Sequence, residues 1–186
     1  MPHRQAARFS NAVLAAVLAL LILQVDIPTH SGLSWFWAQR HDYIAWAASA
    51  LWVAAAWVLL KSGGERVERL PRPVVLLEVL FLLMAATLPH TSLLIARRFS
   101  RRVMQAAFGV PMLGMSLTGW LMAFIMGRQE GSSSMRAIRR LVGLMSAILC
   151  AGLILGIMVY PPSVVWSSFV ASLTGLIGWC LQKGKE

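Results

Sequence analysis

Residues 141–160, LVGLMSAILCAGLILGIMVY, decide the fold of this chain. The stretch carries no charged side chain, and its twenty residues match the roughly 20 that a helix needs to cross a bilayer. A Pro161-Pro162 pair follows at once, and residues 163–181 form a second apolar run of similar length. Because proline ends one helix and is tolerated in the first turn of the next, the two runs predict a transmembrane helical hairpin.

The rest of the chain repeats this pattern. Of its 186 residues, 58% are hydrophobic and only 13% are charged, whereas a soluble domain has about 25% charged residues. A transmembrane β-barrel would need alternating polar and apolar residues, which these runs lack. The sequence therefore predicts an all-α polytopic membrane protein of about six helices, with residues 1–186 as one domain. The predicted spans are 11–25, 43–60, 74–96, 103–127, 141–160 and 163–181.

Positive charge lies at the ends of these runs. The net charge is +10, which in a soluble protein would suggest nucleic acid, but cations beside membrane spans instead fix orientation and meet anionic head groups. We therefore expect a bilayer with anionic lipids as the partner, and no nucleic acid. If all six runs span with the N-terminus inside, twelve of the 17 Lys and Arg residues face the cytoplasm. This bias predicts cytoplasmic N- and C-termini, and the composition suggests a bacterial inner membrane.

Two ionisable residues interrupt the third run. Glu78 is the only carboxylate inside an apolar run, and His90 follows Pro89 directly. Ionisable groups in a membrane span are costly and often functional, so both are candidate functional residues. Pro89 predicts a break or kink, and with Pro111 it leaves open that the third and fourth runs are re-entrant; their lengths favour spanning. The structural alternatives are an interfacial Glu78 and a His90 in a merely kinked helix.

A cluster of four arginines separates the third and fourth runs. We call Arg97, Arg98, Arg101 and Arg102 the arginine cluster. On a continuous helix all four would share one face, with Phe99 opposite. That arrangement predicts a surface for anionic lipid or an acidic partner, and a plain charged loop is the alternative.

Small residues recur every four positions in the last two runs. Such stripes let helices approach closely in lipid. Gly152 and Gly156 form a further stripe of this kind. The stripes suit packing within the chain, against a membrane-protein partner or against a second copy. The predicted helix-packing positions are Gly143, Ala147, Ala151, Ser167, Ala171 and Gly175.

Function is poorly determined by the sequence. It contains no hydrolase, metalloprotease or phosphate-binding motif, so we predict no catalytic residue and expect no enzyme. Cys150 and Cys180 lack the spacing of a metal site. The four histidines do not lie at the matched depths that a haem between helices needs. The sequence therefore predicts no metal or cofactor. We expect a non-enzymatic accessory, assembly or scaffolding subunit that packs against a larger membrane partner. The alternative is a small transporter or channel that uses Glu78 and His90 in a broken third helix.

Overall fold

The computed structural model describes residues 3–25, 33–64, 71–130 and 133–183. All regular structure in these ranges is helical, as the apolar runs predict. The helices are α1 (His3–Leu23), α2 (Leu33–Ala38), α3 (Arg40–Gly64), α4 (Arg72–Arg97), α5 (Arg102–Glu130), α6 (Ser133–Met158) and α7 (Ser163–Lys183).

Five of the described helices are long and apolar enough to cross a membrane. They are α3, α4, α5, α6 and α7, and their apolar segments are 20 to 27 residues long. α1 contributes a shorter apolar segment, Ala7–Leu23. The prediction of an all-α membrane protein with about six helices is thus confirmed, and the protein is located in a membrane.

The third and fourth long helices are continuous. Pro89 lies inside α4 and Pro111 inside α5, yet both helices are unbroken. The break at these prolines that the sequence left open is therefore not present, and the continuous helices agree with the plain spans that the run lengths favour. Each proline is buried against neighbouring helices, and tertiary packing of this kind holds a helix together where one backbone hydrogen bond is missing.

Consecutive helices form the frame of the bundle. α4 packs on α5, α5 on α6 and α6 on α7, while α7 returns to contact α3. The core is filled by large side chains that include Trp52, Phe81 and Phe108, each at most 2% exposed. α1 lies at the edge of this frame, against α3 and α4.

The α6–α7 hairpin is packed very closely. A Cβ atom added at Gly152 would lie 1.9 Å from Ser167 Oγ, and one added at Gly156 would lie 2.5 Å from a methyl group of Val164. Ser163 Oγ also donates a hydrogen bond of 2.9 Å to the carbonyl of Gly152. Glycine at these two positions therefore allows the two helix backbones to approach each other.

Candidate functional site: the uncovered side of α1 and α4

α1 is covered on one side only. Its residues Leu14, Val17 and Leu21 are buried, with exposed fractions of 3%, 3% and 0%. At 100° per residue these three form a single stripe, and the side opposite to it carries small residues. We call this side, formed by Ala12, Ala16 and Ala19, the open side of α1; all three residues are exposed.

Two consecutive polar residues hold the start of α1 in place. Ser10 Oγ donates a hydrogen bond to Glu78 Oε1 of α4. Asn11 Oδ1 accepts a 2.8 Å hydrogen bond from Trp57 Nε1 of α3. Lys61 lies 5.2 Å from the ring centre of the same Trp57. Side-chain hydrogen bonds thus fix α1 to both neighbours at one end of the bundle.

Of the four residues in these two hydrogen bonds, sequence reasoning singled out only Glu78 as a candidate. The structural alternative for Glu78 was an interfacial position. In the structure Glu78 is half-buried and accepts a hydrogen bond from Ser10. The signal for Ser10 and Asn11 was present, since they form a polar pair directly before an apolar run, but their partners lie 68 and 46 residues away along the chain.

His90 lies in a different environment. It is exposed on α4 and makes no hydrogen bond or ion pair with any residue that the structure describes. Thr87, one turn earlier, is also exposed and donates a 2.7 Å hydrogen bond to the carbonyl of Met84. Twelve positions separate Glu78 from His90, about 18 Å along a helix, so the fold does not bring the two candidates together.

His90 belongs to an exposed stripe along α4. Its apolar members Leu76, Val79 and Leu83 are 71%, 46% and 59% exposed. Their spacing of three and four residues continues through Thr87 to His90, so all five lie on one helical face. We call this face the α4 stripe. It is uncovered in a single copy of the chain.

The arginine cluster occupies the connection between α4 and α5. Its four members are exposed, and residues 98–100 form a turn between the two helices. The sequence suggested that the four arginines share one continuous helical face. The turn between the helices shows that they do not. Phe99 is half-buried and stacks on the His41 ring with 4.5 Å between the ring centroids. The side-chain amide of the buried Gln105, in α5, donates a 2.6 Å hydrogen bond to the carbonyl of Phe99. This bond fixes the turn to the start of α5.

The predicted helix-packing positions divide between two environments. In α7, Ala171 is buried and a Cβ at Gly175 would lie 2.5 Å from Met145 Sδ of α6. In α6, Ala147 and Ala151 are exposed on the outer surface of this chain. Gly143 would bring a Cβ to 3.5 Å from Trp120 of α5, and Ser167 faces Gly152.

Comparison with known proteins connects the first half of the chain to ion channels. Residues 5–89 match the sequence profile of a family described as the endosomal/lysosomal potassium channel TMEM175. This range includes nearly all of α1, all of α2 and α3, and most of α4. A protein from Streptomyces collinus named as a potassium channel is 28% identical over 117 residues, which cover 59% of this chain. The match spans 57% of the length of that relative.

These matches contradict the prediction of an accessory or scaffolding subunit. That prediction depended on the lack of recognisable motifs and on small residues on helix faces. The matched family and the Streptomyces protein are both named as potassium channels, which favours the alternative of a channel. The prediction of a membrane protein with a role in transport agrees with these matches, and the accessory role has no support.

A solved structure extends the comparison to nearly the whole chain. The crystal structure of a lysosomal potassium-selective channel TMEM175 homolog from Chamaesiphon minutus superimposes with a TM-score of 0.77. The superposition covers 97% of each chain at 18% sequence identity. The helices described above, with α1 at the edge of the bundle, therefore have the fold of that channel homolog.

Proposed function

We propose that this chain is one subunit of a potassium channel that several copies form together in the membrane. The observation that carries the proposal is the family match over residues 5–89, supported by a relative that is named as a potassium channel. The shared fold of the Chamaesiphon homolog is consistent with it.

The interior of the chain favours an ion path between several copies over a path through a single copy. Buried hydroxyl groups such as Ser49, Ser146 and Ser172 donate hydrogen bonds to carbonyls of their own helices, at 2.8 to 2.9 Å. The cavity between α3, α5 and α6 has a volume of only about 40 Å³ and is apolar. A dehydrating cation needs oxygen ligands or a water-filled passage. The nearly apolar wall of this cavity offers neither.

The open side of α1 is the best candidate for the pore wall. α1 is held at its start by Ser10 and Asn11, and its open side is exposed in one copy. Its far end is more strongly apolar, since Ile22 and Leu23 are 59% and 78% exposed. Copies arranged around these residues would enclose a narrow apolar passage, and hydrophobic constrictions gate ion flow by excluding water.

The α4 stripe is a candidate contact between copies. His90 lies seven residues, or about 10 Å, from the end of α4 at Arg97, which places it within the apolar layer. An imidazole facing lipid at that depth would lose its hydrogen bonds to water. We assign His90 and Thr87 to a surface that a second copy covers, and Glu78 to the anchoring of α1.

The orientation and lipid contacts complete the proposal. The positive-inside bias supports cytoplasmic termini in a bacterial inner membrane. The arginine cluster then lies on the opposite side of the membrane. Its exposed guanidinium groups suit bidentate contacts with phosphate oxygens of anionic lipids.

A flux assay with purified protein tests the channel. Vesicles loaded with potassium and diluted into medium without potassium should take up protons when a protonophore is added, because potassium efflux makes the interior negative. A pH-sensitive dye reports this uptake. Protein-free vesicles and vesicles loaded with sodium are the controls. Dye signals no larger than those of protein-free vesicles would refute the proposal, and equal sodium and potassium signals would refute selectivity.

A further inference from the structure

Two arginines from different helices face one aromatic ring where α5 and α6 meet. Cζ of Arg128, in α5, lies 4.7 Å from the ring centre of Phe124, and Cζ of Arg139, in α6, lies 5.6 Å from the same centre. A guanidinium group over an aromatic face is attracted by the electrons of the ring. Phe124 therefore holds two positive charges close together, although the charges repel each other.

A second ring extends this aromatic surface away from the arginines. Trp120 stacks on Phe124 with 5.6 Å between the ring centroids and an angle of 13° between the ring planes. On α6, a Cβ atom added at Gly143 would lie 3.5 Å from Trp120 Nε1, so the indole lies against a position without a side chain. Arg128 is exposed and the other four residues are half-buried, so each has surface that a molecule outside the chain can touch. We call these residues the α5–α6 site; they are Trp120, Phe124, Arg128, Arg139 and Gly143.

The depth of the α5–α6 site matches the boundary between lipid head groups and acyl chains. The apolar segment of α5 ends at Arg128, and that of α6 begins at Met135, four residues before Arg139. Arginine side chains near the ends of a span extend toward the head groups while their stems stay in the apolar layer. Trp120 lies eight residues, or about 12 Å, deeper along α5 than Arg128. The site thus has a charged end and an apolar end, as a phospholipid has.

The charge at this end of the bundle favours an anion. Residues 128–140 include four arginines and a single glutamate. No ion pair joins Arg128 or Arg139 to a carboxylate in the part of the chain whose side chains are described. A zwitterionic head group would bring its ammonium group toward the same arginines and be repelled, whereas a phosphate without an ammonium group matches them.

We propose that the α5–α6 site binds one anionic phospholipid. Its phosphate accepts hydrogen bonds from the guanidinium groups of Arg128 and Arg139, and one acyl chain lies against Trp120. Guanidinium groups present their N–H donors in a plane that matches phosphate oxygens. A free phosphate would leave the aromatic half of the site uncovered, which favours a lipid. The site is separate from the arginine cluster, because Arg102 of that cluster begins α5 and Arg128 lies near the other end of the helix.

Thermal unfolding of the purified full-length protein in detergent tests the proposal, because a ligand that binds the folded state raises the melting temperature. Phosphatidylglycerol, which is anionic, should raise it in a saturable way at about 0.15 M salt, where attraction beyond about 8 Å is screened. Phosphatidylcholine, which carries an ammonium group, and glycerol phosphate, which has no acyl chain, should have little effect. An equal rise with phosphatidylcholine would overturn the role of charge, and an equal rise with glycerol phosphate would replace the lipid by a free anion; either result would overturn the proposal.

Paired substitutions locate the binding site. Arg128→Gln combined with Arg139→Gln should raise the half-saturating concentration of phosphatidylglycerol about tenfold to thirtyfold. Arg136→Gln combined with Arg140→Gln is the matched control, since it removes the same charge from two exposed side chains of α6 that lie over no aromatic ring in the described part of the chain. It should change that concentration by less than about threefold, because only diffuse attraction is lost.

A third variant tests the aromatic ring. Phe124→Leu keeps an apolar side chain but removes the ring that both guanidinium groups face, so the half-saturating concentration should rise about twofold to fivefold. The arginine cluster is intact in every variant, so lipid bound there contributes equally to all of them. No saturable rise in the wild type, equal losses in the two paired variants, or unchanged affinity in Phe124→Leu would overturn the proposal. None of these measurements depends on ion flux.

Discussion

Gly152→Ala should destabilise the protein by displacing α6 from α7. The added Cβ would lie 2.2 Å from the Cβ of Ser167 and 3.2 Å from the backbone oxygen of Ser163. Carbon atoms in contact lie about 3.5–4.0 Å apart, and neither Cβ can rotate away, so the helix backbones must separate by roughly 1.3–1.8 Å. Overpacking of this kind typically costs about 1–3 kcal/mol. For a chain of this size that lowers the melting temperature by roughly 2–12 °C.

A thermal unfolding series in detergent, followed by the amount of monodisperse protein that remains, measures this loss. Gly119→Ala is the matched control, because its added Cβ would meet only Val142 at an ordinary 3.8 Å. It should be neutral or slightly stabilising, since alanine favours helix by about 0.8–1.0 kcal/mol over glycine. Adding Ser167→Gly to Gly152→Ala should restore much of the lost stability. A Gly152→Ala protein as stable as Gly119→Ala, or no recovery in the double variant, would refute the close packing described here.

Three further predictions concern the anchoring of α1, the arginine cluster and the orientation of the chain. Ser10→Ala and Glu78→Gln should each destabilise the protein by about 0.6–1.7 kcal/mol. Their effects should not add, because both changes weaken the same hydrogen bond between α1 and α4. Additive losses in a double-mutant cycle would contradict this hydrogen bond. Replacing all four arginines of the arginine cluster by glutamine should reduce the amount of anionic lipid that co-purifies with the protein. Raising the salt concentration should reduce the amount of lipid that co-purifies with the wild type. If neither change reduces the lipid, the cluster has no role in lipid binding. A fluorescent-protein fusion at Glu186 should fluoresce and an alkaline phosphatase fusion should be inactive, whereas the opposite pattern would place the C-terminus outside.

The fold was largely predictable because bilayers restrict the choices. Apolar runs of about 20 residues bounded by cations can only be membrane helices, so class and approximate span number follow from composition and length. The continuity of α4 and α5 was not predictable in this way. Pro89 and Pro111 remove backbone donors locally, but both are buried, and contacts with helices distant in sequence keep the segments helical.

The candidate site was only partly predictable. Glu78 and His90 stand out in the sequence because ionisable residues are rare in apolar runs. Their different environments depend on contacts with residues distant in the sequence, which the sequence does not show. Glu78 receives a hydrogen bond from Ser10, 68 residues earlier, and His90 stays on the surface of the chain. The proposed channel function has no visible motif, since the apolar pore between copies that we propose would need none of the residue patterns by which enzymes and metal sites are recognised.

Potassium flux through two alanine-to-tryptophan variants tests the central proposal most directly. Ala19 lies on the open side of α1 and Ala151 on the outer surface of α6, and both are exposed in one copy. If copies enclose a pore with α1, Ala19→Trp should abolish or strongly reduce the potassium-driven dye signal, because the indole fills a narrow passage. Ala151→Trp should conduct like the wild type. Full flux through a correctly assembled Ala19→Trp protein, or equal loss in both variants, would contradict a pore lined by α1.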